Sequence, residues 1–411
     1  MVRLEGFREL KPLDEALDRF FKRLQPKRLG TLFVRVDEAL GRVTARNIIA
    51  ERSLPSFDRS AVDGYALRAR TGATASQFQP KTFLLVEKEI LEEGETKEVW
   101  TGNALPKGAD AVVMLEHTKR IHDRIEVSTP LTPNMNVSRR GEDVMRGEIA
   151  VSAKTRLKPQ HLGLLAAIGK TEVEVVQIPK AAIIATGTEL IKLGEKQRPH
   201  QIVEVNSIIL SGMCSELGVK AFRLGIVGDD EKEIAEKIRQ GLAAADAVIT
   251  TGGTSVGLHD LVPAAIKQID SKAIVVHGVA IRPGMPTALA VVKNKPVLIL
   301  SGNPIAAAVG FEVFGRPLFK ELLGLNEIER IRVKAKMTRR VAGVLGRRVF
   351  LRVRVIEKDD QFFAQPIRIK GSGIITTMTS ANGYVIIPED REGLKENEQV
   401  TVHLFDVLLS E

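Results

Sequence analysis

A multidomain α/β protein with a central, mostly parallel sheet is what this sequence predicts, and three observations carry the expectation. Between Lys180 and Phe319, short apolar strands alternate with helical stretches, the pattern of repeated βα units around a buried parallel sheet. On both sides of that block the helical period fades into short β-rich runs separated by Gly and Pro turns. Aromatic residues make up only 4% of 411 residues against 44% apolar content, so the cores must be built from Val, Ile, Leu and Ala, which suits strands buried on both faces. A chain of this length should hold several cores rather than one.

The elements follow in order. Leu13, Ala16, Leu17, Phe20, Phe21 and Leu24 fall at helical spacing behind Pro12, a residue suited to a helix start, and predict an amphipathic helix within segment 1–27. Segments 28–54 and 138–178 read as a linking domain, in which Pro159 opens a helix that Gly169 stops and the strand Thr171 to Val176 follows. Residues 55–137 read as a small β domain, with runs at Thr82 to Val86, Glu98 to Thr101 and Ala111 to Leu115. The α/β block occupies 179–329, with strands at Ala181 to Ala185, Phe222 to Val227, Ala247 to Thr250 and Val297 to Leu300. Its helix starts are signalled by Asn206, by Asp229 and Asp230, and by Pro304. From 330 to 411 a final β-barrel-like domain is expected, with strands at Val349 to Ile356, Gly383 to Ile387 and Gln399 to Leu404.

Charge and cysteine usage narrow the function. The formal charge of +9 favours an anionic partner, but the cations form neither a tail nor an aromatic-interleaved stripe, so no nucleic-acid partner is expected. Cys214 is the single cysteine, which excludes an intrachain disulfide and a cysteine-rich zinc site and fits a reducing cytoplasm. No apolar run reaches about 18 residues, so no membrane span is expected.

Three loops follow three of the strands of the α/β block, and ligands of open α/β sheets bind outside the carboxyl ends of strands. The first is Ala185 to Leu190, where Gly187 and Thr188 precede Glu189. The second runs from Thr250 through Gly252, Gly253, Thr254, Ser255 and Gly257 to His259 and Asp260. Its glycines let backbone N–H groups approach an anion, and its hydroxyls add donors. The third is Ser301, Gly302, Asn303 and Pro304, a helix entry with free N–H donors. Ahead of it, Arg282, Pro283, Gly284, Met285 and Pro286 form a rigid loop that projects a guanidinium suited to the oxygens of phosphate or another oxyanion. Taken singly, each loop could be a strand-ending turn or a cap. Outside the block, the polar segment Pro55 to Ala66 contains Asp58 and Asp63, and Thr101-Gly102 and Arg139 to Asp143 are further polar loops.

In order, the motifs are FDRSAVDGYA (57–66), TGNALPKGADAVV (101–113), VSRRGEDV (137–144), IIATGTEL (183–190), DAVITTGGTSVGLHD (246–260), RPGMP (282–286) and ILSGNP (299–304). Together they resemble the MoeA family, the molybdopterin molybdenumtransferases, which includes the carboxy-terminal enzyme domain of gephyrin. The resemblance implies a homodimer of elongated subunits, with active sites where the sheet domain of one subunit faces the β and linking segments of its partner. It implies a reaction of adenylated molybdopterin with molybdate or tungstate, dependent on Mg2+, that releases AMP. Site residues carried over by matching position are Asp63, Thr101, Asp143 and Glu189 as catalytic groups, with Glu189, Asp230 and Asp260 on the metal side, and Asp229 competing with Asp230. The family often has lysines where this chain has Arg282 and Met285, which leaves the choice between molybdate and tungstate open. Two other readings are a molybdopterin adenylyltransferase, similar to the sheet domain alone, and a non-catalytic dimeric scaffold. The glycines lack the GxGxxG spacing of a dinucleotide-binding oxidoreductase.

Overall fold

The computed structural model describes residues 10–254, 260–325, 330–367, 374–407 and 409–410. The chain divides into two compact units, Leu32–Val175 and Met1–Thr31 with Val176–Glu411.

The larger unit begins with α1 (Leu13–Leu24), which places Leu13, Ala16, Phe20 and Leu24 in the core at i, i+3, i+4 spacing. Asp14 and Glu15 in its first turn and Lys22 and Arg23 in its last complement the helix dipole. Phe20 is fully buried among sheet residues such as Val276, Leu289 and Leu298, so truncation to alanine should cost about 3–5 kcal/mol.

The central sheet is built from β1 (Lys180–Thr186), then α2 (Asn206–Glu216), β2 (Lys220–Val227), α3 (Glu231–Ala244), β3 (Ala247–Thr251), α4 (Leu261–Ile269), β4 (Ile274–His277), β5 (Ala288–Val292), β6 (Lys295–Leu300) and α5 (Pro304–Gly310). Its strand order is β2-β1-β3-β6-β5-β4. The first four are mutually parallel, while β5 runs antiparallel to both of its neighbours. Fully apolar clusters cover both faces, which is why β1, β3 and β6 read as continuous apolar runs rather than alternating ones. The predicted α/β class is therefore the observed one. Two strands were not anticipated: β5 closes on β6 through Lys293 and Asn294, both at positive φ (48° and 62°), a two-residue hairpin without the glycine that usually announces one.

The register fixes where the loops leave. Ala185 of β1 is level with Thr251 of β3, which is level with Leu300 of β6, and Thr186 is level with Val227 of β2. The segments following all four strands therefore emerge at one end of the sheet.

The last strands of this unit close a five-stranded barrel. Arg332–Met337, Arg348–Lys358, Gln361–Pro366, Gly383–Ile387 and Gln399–Leu404 form it, with Arg348–Lys358 pairing both Gln361–Pro366 and Gly383–Ile387 to complete the ring. Ile281 and Arg282 add a short parallel pairing to Arg348 and Val349, which fastens the Arg282 loop to the barrel.

In the smaller unit, a six-stranded sheet runs in the order Ala111–Met114, Gly64–Leu67, Glu95–Val99, Lys81–Leu85, Arg124–Val127, Thr118–Ile121 around Phe83, Ile125 and Val113. A separate cluster around Val36, Ile48, Leu157 and Leu165 packs the helix Pro159–Ala167 against the linking strands. Among the described residues, no helix of either unit is long and apolar enough to cross a membrane.

Candidate functional site

The loops at the carboxyl end of the sheet enclose a cleft of roughly 860 Å3. Gly187, Glu189, Gly252, Gly253, Thr254, Ser301, Gly302, Asn303 and Pro304 all line it, so the structure brings the three sequence-predicted loops together. Ser255, Gly257 and His259 lie outside the described residues.

Each loop takes its shape from a specific restraint. Gly187 has φ of 149°, and a Cβ there would stand 2.7 Å from the Glu189 carboxylate, so the glycine lets Glu189 fold back over the backbone. Thr188 donates its hydroxyl to Oδ2 of Asp229 at 3.1 Å, tying the first loop to the segment after β2. In the second loop, Thr254 donates its hydroxyl to the carbonyl of Pro286 at 2.9 Å, which binds it to the Arg282 loop. Thr251, at the end of β3, donates its hydroxyl to the Ser301 carbonyl at 3.1 Å and so links the second loop to the third.

Asn206 adds a clip that sequence reasoning missed. Its Nδ2 donates to Thr251 Oγ1 and to the Gly302 carbonyl, both at 2.7 Å. Sequence patterning makes Asn206 a helix cap, but it stands inside α2. The capping is done by Glu204, which accepts the Ser207 N–H at 2.8 Å and also the Ser207 hydroxyl.

The acidic residues divide. Asp229 lines the cleft, whereas Oδ1 of Asp230 accepts the N–H groups of Lys232 and Glu233 at 2.9 Å each and caps α3. Asp260 is not on the cleft wall: its carboxylate meets His277 Nε2 at 3.1 Å, where burial lowers the histidine pKa and Asp260 opposes that shift. The structure thus does not gather Glu189, Asp230 and Asp260 around one point. No three His, Cys, Asp or Glu side chains among the described residues stand close enough to hold a metal ion by themselves. Three carboxylates, Glu189, Glu204 and Asp229, line the cleft, and Glu204 is taken up by the Ser207 N–H and hydroxyl, which leaves Glu189 and Asp229. That donor set suits Mg2+, which usually takes one or two protein carboxylates and completes its shell with water and substrate phosphates.

Beside the cleft lies a second cavity of roughly 390 Å3. Arg282, Pro283 and Gly284 line it as the sequence suggests, together with Arg347 and Arg352 from the barrel, and no acidic side chain is among the described residues of the lining. Ser301 and Asn303 line both cavities. Nε of Arg352 is buried without a partner among the described residues, and burial pulls its pKa down. Three arginines facing one space make a site for a small oxyanion. Arg347 and Arg352 carry no sequence signal, because they follow the sheet domain by many residues and reach the Arg282 loop only through the strand pairing.

The smaller unit holds the remaining predicted residues. Asp63 accepts the backbone N–H of Thr101 at 2.7 Å and its hydroxyl at 2.8 Å, and these bonds hold the Asp63 carboxyl below its ordinary pKa. Asp143 lines a different recess, of roughly 270 Å3, with Arg59, Ser138 and Glu142.

Three family models cover most of the chain: "MoeA N-terminal region (domain I and II)" over residues 11–169, "Probable molybdopterin binding domain" over 182–321, and "MoeA C-terminal region (domain IV)" over 334–405. The chain is 32% identical over 407 residues to the molybdopterin molybdenumtransferase of Bacillus subtilis, covering 96% of this chain and 94% of that one. The Staphylococcus aureus protein of the same name is 28% identical over 408 residues, covering 97% and 96%. Among solved structures, the molybdopterin biosynthesis MoeA protein of Pyrococcus horikoshii matches with a TM-score of 0.83 and 32% identity, covering 97% of this chain and all of that one.

Proposed function

The chain belongs to the MoeA family of molybdopterin molybdenumtransferases, and from that premise we propose that it inserts molybdate or tungstate into adenylated molybdopterin with release of AMP, completing the molybdenum cofactor. The observation that carries this reading is the pair of abutting cavities that share Ser301 and Asn303. One is shaped by glycine loops and edged by Glu189 and Asp229. The other is lined by Arg282, Arg347 and Arg352, with no acid among its described residues. A phosphorylated pterin nucleotide in the first would place its reacting end beside an oxyanion held in the second.

In this reading the loop N–H groups and the Ser301 hydroxyl bind the phosphates, the hydroxyls of Thr188 and Thr254 being already given to Asp229 and to the Pro286 carbonyl, and the three arginines fix the oxyanion. Glu189 and Asp229 would hold Mg2+, which when bound would neutralise charge on the phosphoanhydride. Asp229 takes this place rather than Asp230, since the latter is committed to capping α3. Asp260 acts at one remove, by holding the end of the second loop through His277. The reading also includes a homodimer in which Asp63, Thr101 and Asp143 of one subunit serve the cleft of the other.

The test is AMP release from adenylated molybdopterin with molybdate and tungstate supplied separately. Release that needs an oxyanion and Mg2+ and consumes no ATP supports the insertase, whereas ATP-dependent adenylation of molybdopterin would replace it by an adenylyltransferase. Arg352→Ala should raise the KM for the oxyanion by about tenfold or more, the loss expected for a charge-assisted contact.

A further inference from the structure

The Asn206 clip leaves one atom over. The Gly302 carbonyl can only accept, so the Asn206 amide must present Nδ2 to it, and the orientation of the group follows without ambiguity. Thr251 agrees, because its hydroxyl proton goes to the Ser301 carbonyl and its oxygen is left to accept from the same Nδ2. Both N–H groups of the amide are then used between two loops. Oδ1 is left buried with no hydrogen-bond partner among the described residues, on a residue only 7% exposed that lines the cleft. Nor is it needed at the helix start, where Glu204 does the capping. An unpaired buried acceptor is costly to keep and is normally satisfied by protein, water or ligand.

We propose that Asn206 Oδ1 is a specificity element, which accepts a hydrogen bond from a neutral N–H or O–H donor of the bound ligand. The proposal rests on the reading of the cleft as a site for a pterin nucleotide. A phosphoanhydride linkage, molybdate and tungstate carry no proton near neutral pH and so offer no such donor, whereas a heterocyclic amide or amino group and a ribose hydroxyl do. The glycine loops supply donors to the anionic part of the ligand, and Asn206 supplies an acceptor to its uncharged part. Because the same amide ties the Thr251 hydroxyl to the Gly302 carbonyl, a ligand that satisfies Oδ1 is positioned against both loops at once.

Calorimetric titration of the full-length protein and Asn206→Ala with AMP, molybdopterin and inorganic sulfate, an oxyanion with no proton to donate, tests this. The variant should bind about tenfold more weakly whichever of AMP or molybdopterin supplies the donor, with sulfate affinity unchanged. A loss confined to AMP assigns the contact to the nucleotide, and a loss confined to molybdopterin assigns it to the pterin. Equal losses for all three probes would overturn the proposal, since Asn206 would then only hold the loops. No loss for AMP or molybdopterin would overturn it as well, leaving Oδ1 to a water molecule. Asn206→Ser, whose hydroxyl still donates to one loop, replaces the alanine variant if that fails to fold. Thr251→Val loosens the clip while keeping Oδ1, and should leave the AMP and molybdopterin affinities within about threefold of wild type. Wild-type protein that binds neither compound overturns the functional reading itself; wild-type binding without an Asn206 effect overturns this assignment alone.

Discussion

Replacing Gly252 by alanine should damage the cleft far more than the same change at Gly302, although the two residues are neighbours on its wall. Gly252 has φ of 92°, and a Cβ on it would stand 2.2 Å from the carbonyl oxygen of Thr186. An unstrained contact needs about 3.5 Å, so the chain must open by roughly 1 Å. The atom it meets is main chain at the end of β1, which cannot rotate away as a side chain could. Alanine at positive φ costs about 1–2 kcal/mol and overpacking about 1–3 kcal/mol more. At Gly302 the nearest atom to an added Cβ is Gly252 Cα at 3.5 Å, an ordinary contact, and the backbone there imposes no positive φ.

The expected outcome is a lowered unfolding midpoint for Gly252→Ala and an unchanged one for Gly302→Ala. Relief of the clash pushes the first loop away from the second, and a displacement of about 1 Å at a reacting centre lowers the rate roughly a hundredfold. Denaturant unfolding combined with AMP release from adenylated molybdopterin separates the two effects. Gly252→Ala protein with a wild-type midpoint and kcat/KM within about threefold of wild type would refute the reasoning, for it would mean that the close approach of the loops is not needed.

Further expectations concern charge and assembly. Burial pushes the Glu312 carboxyl up, but Arg330 at 2.9 Å and Arg316 at 3.0 Å more than offset it and hold its pKa below the ordinary value. Its stabilisation is thus complete above the unfolded value of about 4.3 and is lost as pH falls through the lower folded one. Glu312→Gln should cost about 3 kcal/mol near neutrality by leaving buried arginines unpaired, and its unfolding midpoint should vary less than that of wild type below about pH 4.3. Arg348 joins Asp14 of α1, at 2.8 and 2.9 Å, to Glu389 of the barrel at 2.9 Å; because Asp14 is well exposed, Arg348→Met should cost only about 1 kcal/mol yet speed proteolysis at the amino terminus. Coexpressed Asp63→Asn and Glu189→Gln subunits, each inactive alone, should together recover roughly a quarter of wild-type AMP release if a homodimer shares its sites, because half of the dimers are mixed and each mixed dimer has one intact site. Recovery no greater than that of either parent variant would remove the shared site.

The sequence made the cleft legible where chemistry and chain order coincide. Each loop follows its strand directly, so the glycines and hydroxyls of the first, second and third loops could be named without knowing the strand order; the level register of Ala185, Thr251 and Leu300 then brings them together. The α1 helix and the strands β1, β3 and β6 were equally plain, because burial on one helix face or on both sheet faces leaves a direct mark on residue pattern. What stayed hidden depends on competition between equivalent groups or on distant pairing. Asp229 and Asp230 are adjacent and chemically alike, and only the capping bonds to Lys232 and Glu233 decide which one turns to the cleft. Arg347 and Arg352 reach the oxyanion cavity through the pairing of Ile281 and Arg282 with Arg348 and Val349, and a two-residue strand has no pattern of its own to read. Asn206 is the instructive failure. Its residue type and its place before an apolar run fit a cap, and nothing local distinguishes a cap from a clip between loops. The deciding fact is that Glu204 already satisfies the helix start, which releases the Asn206 amide for Thr251 and Gly302. Propensity states what a side chain can do; the inventory of hydrogen bonds already made by its neighbours states what it is left to do.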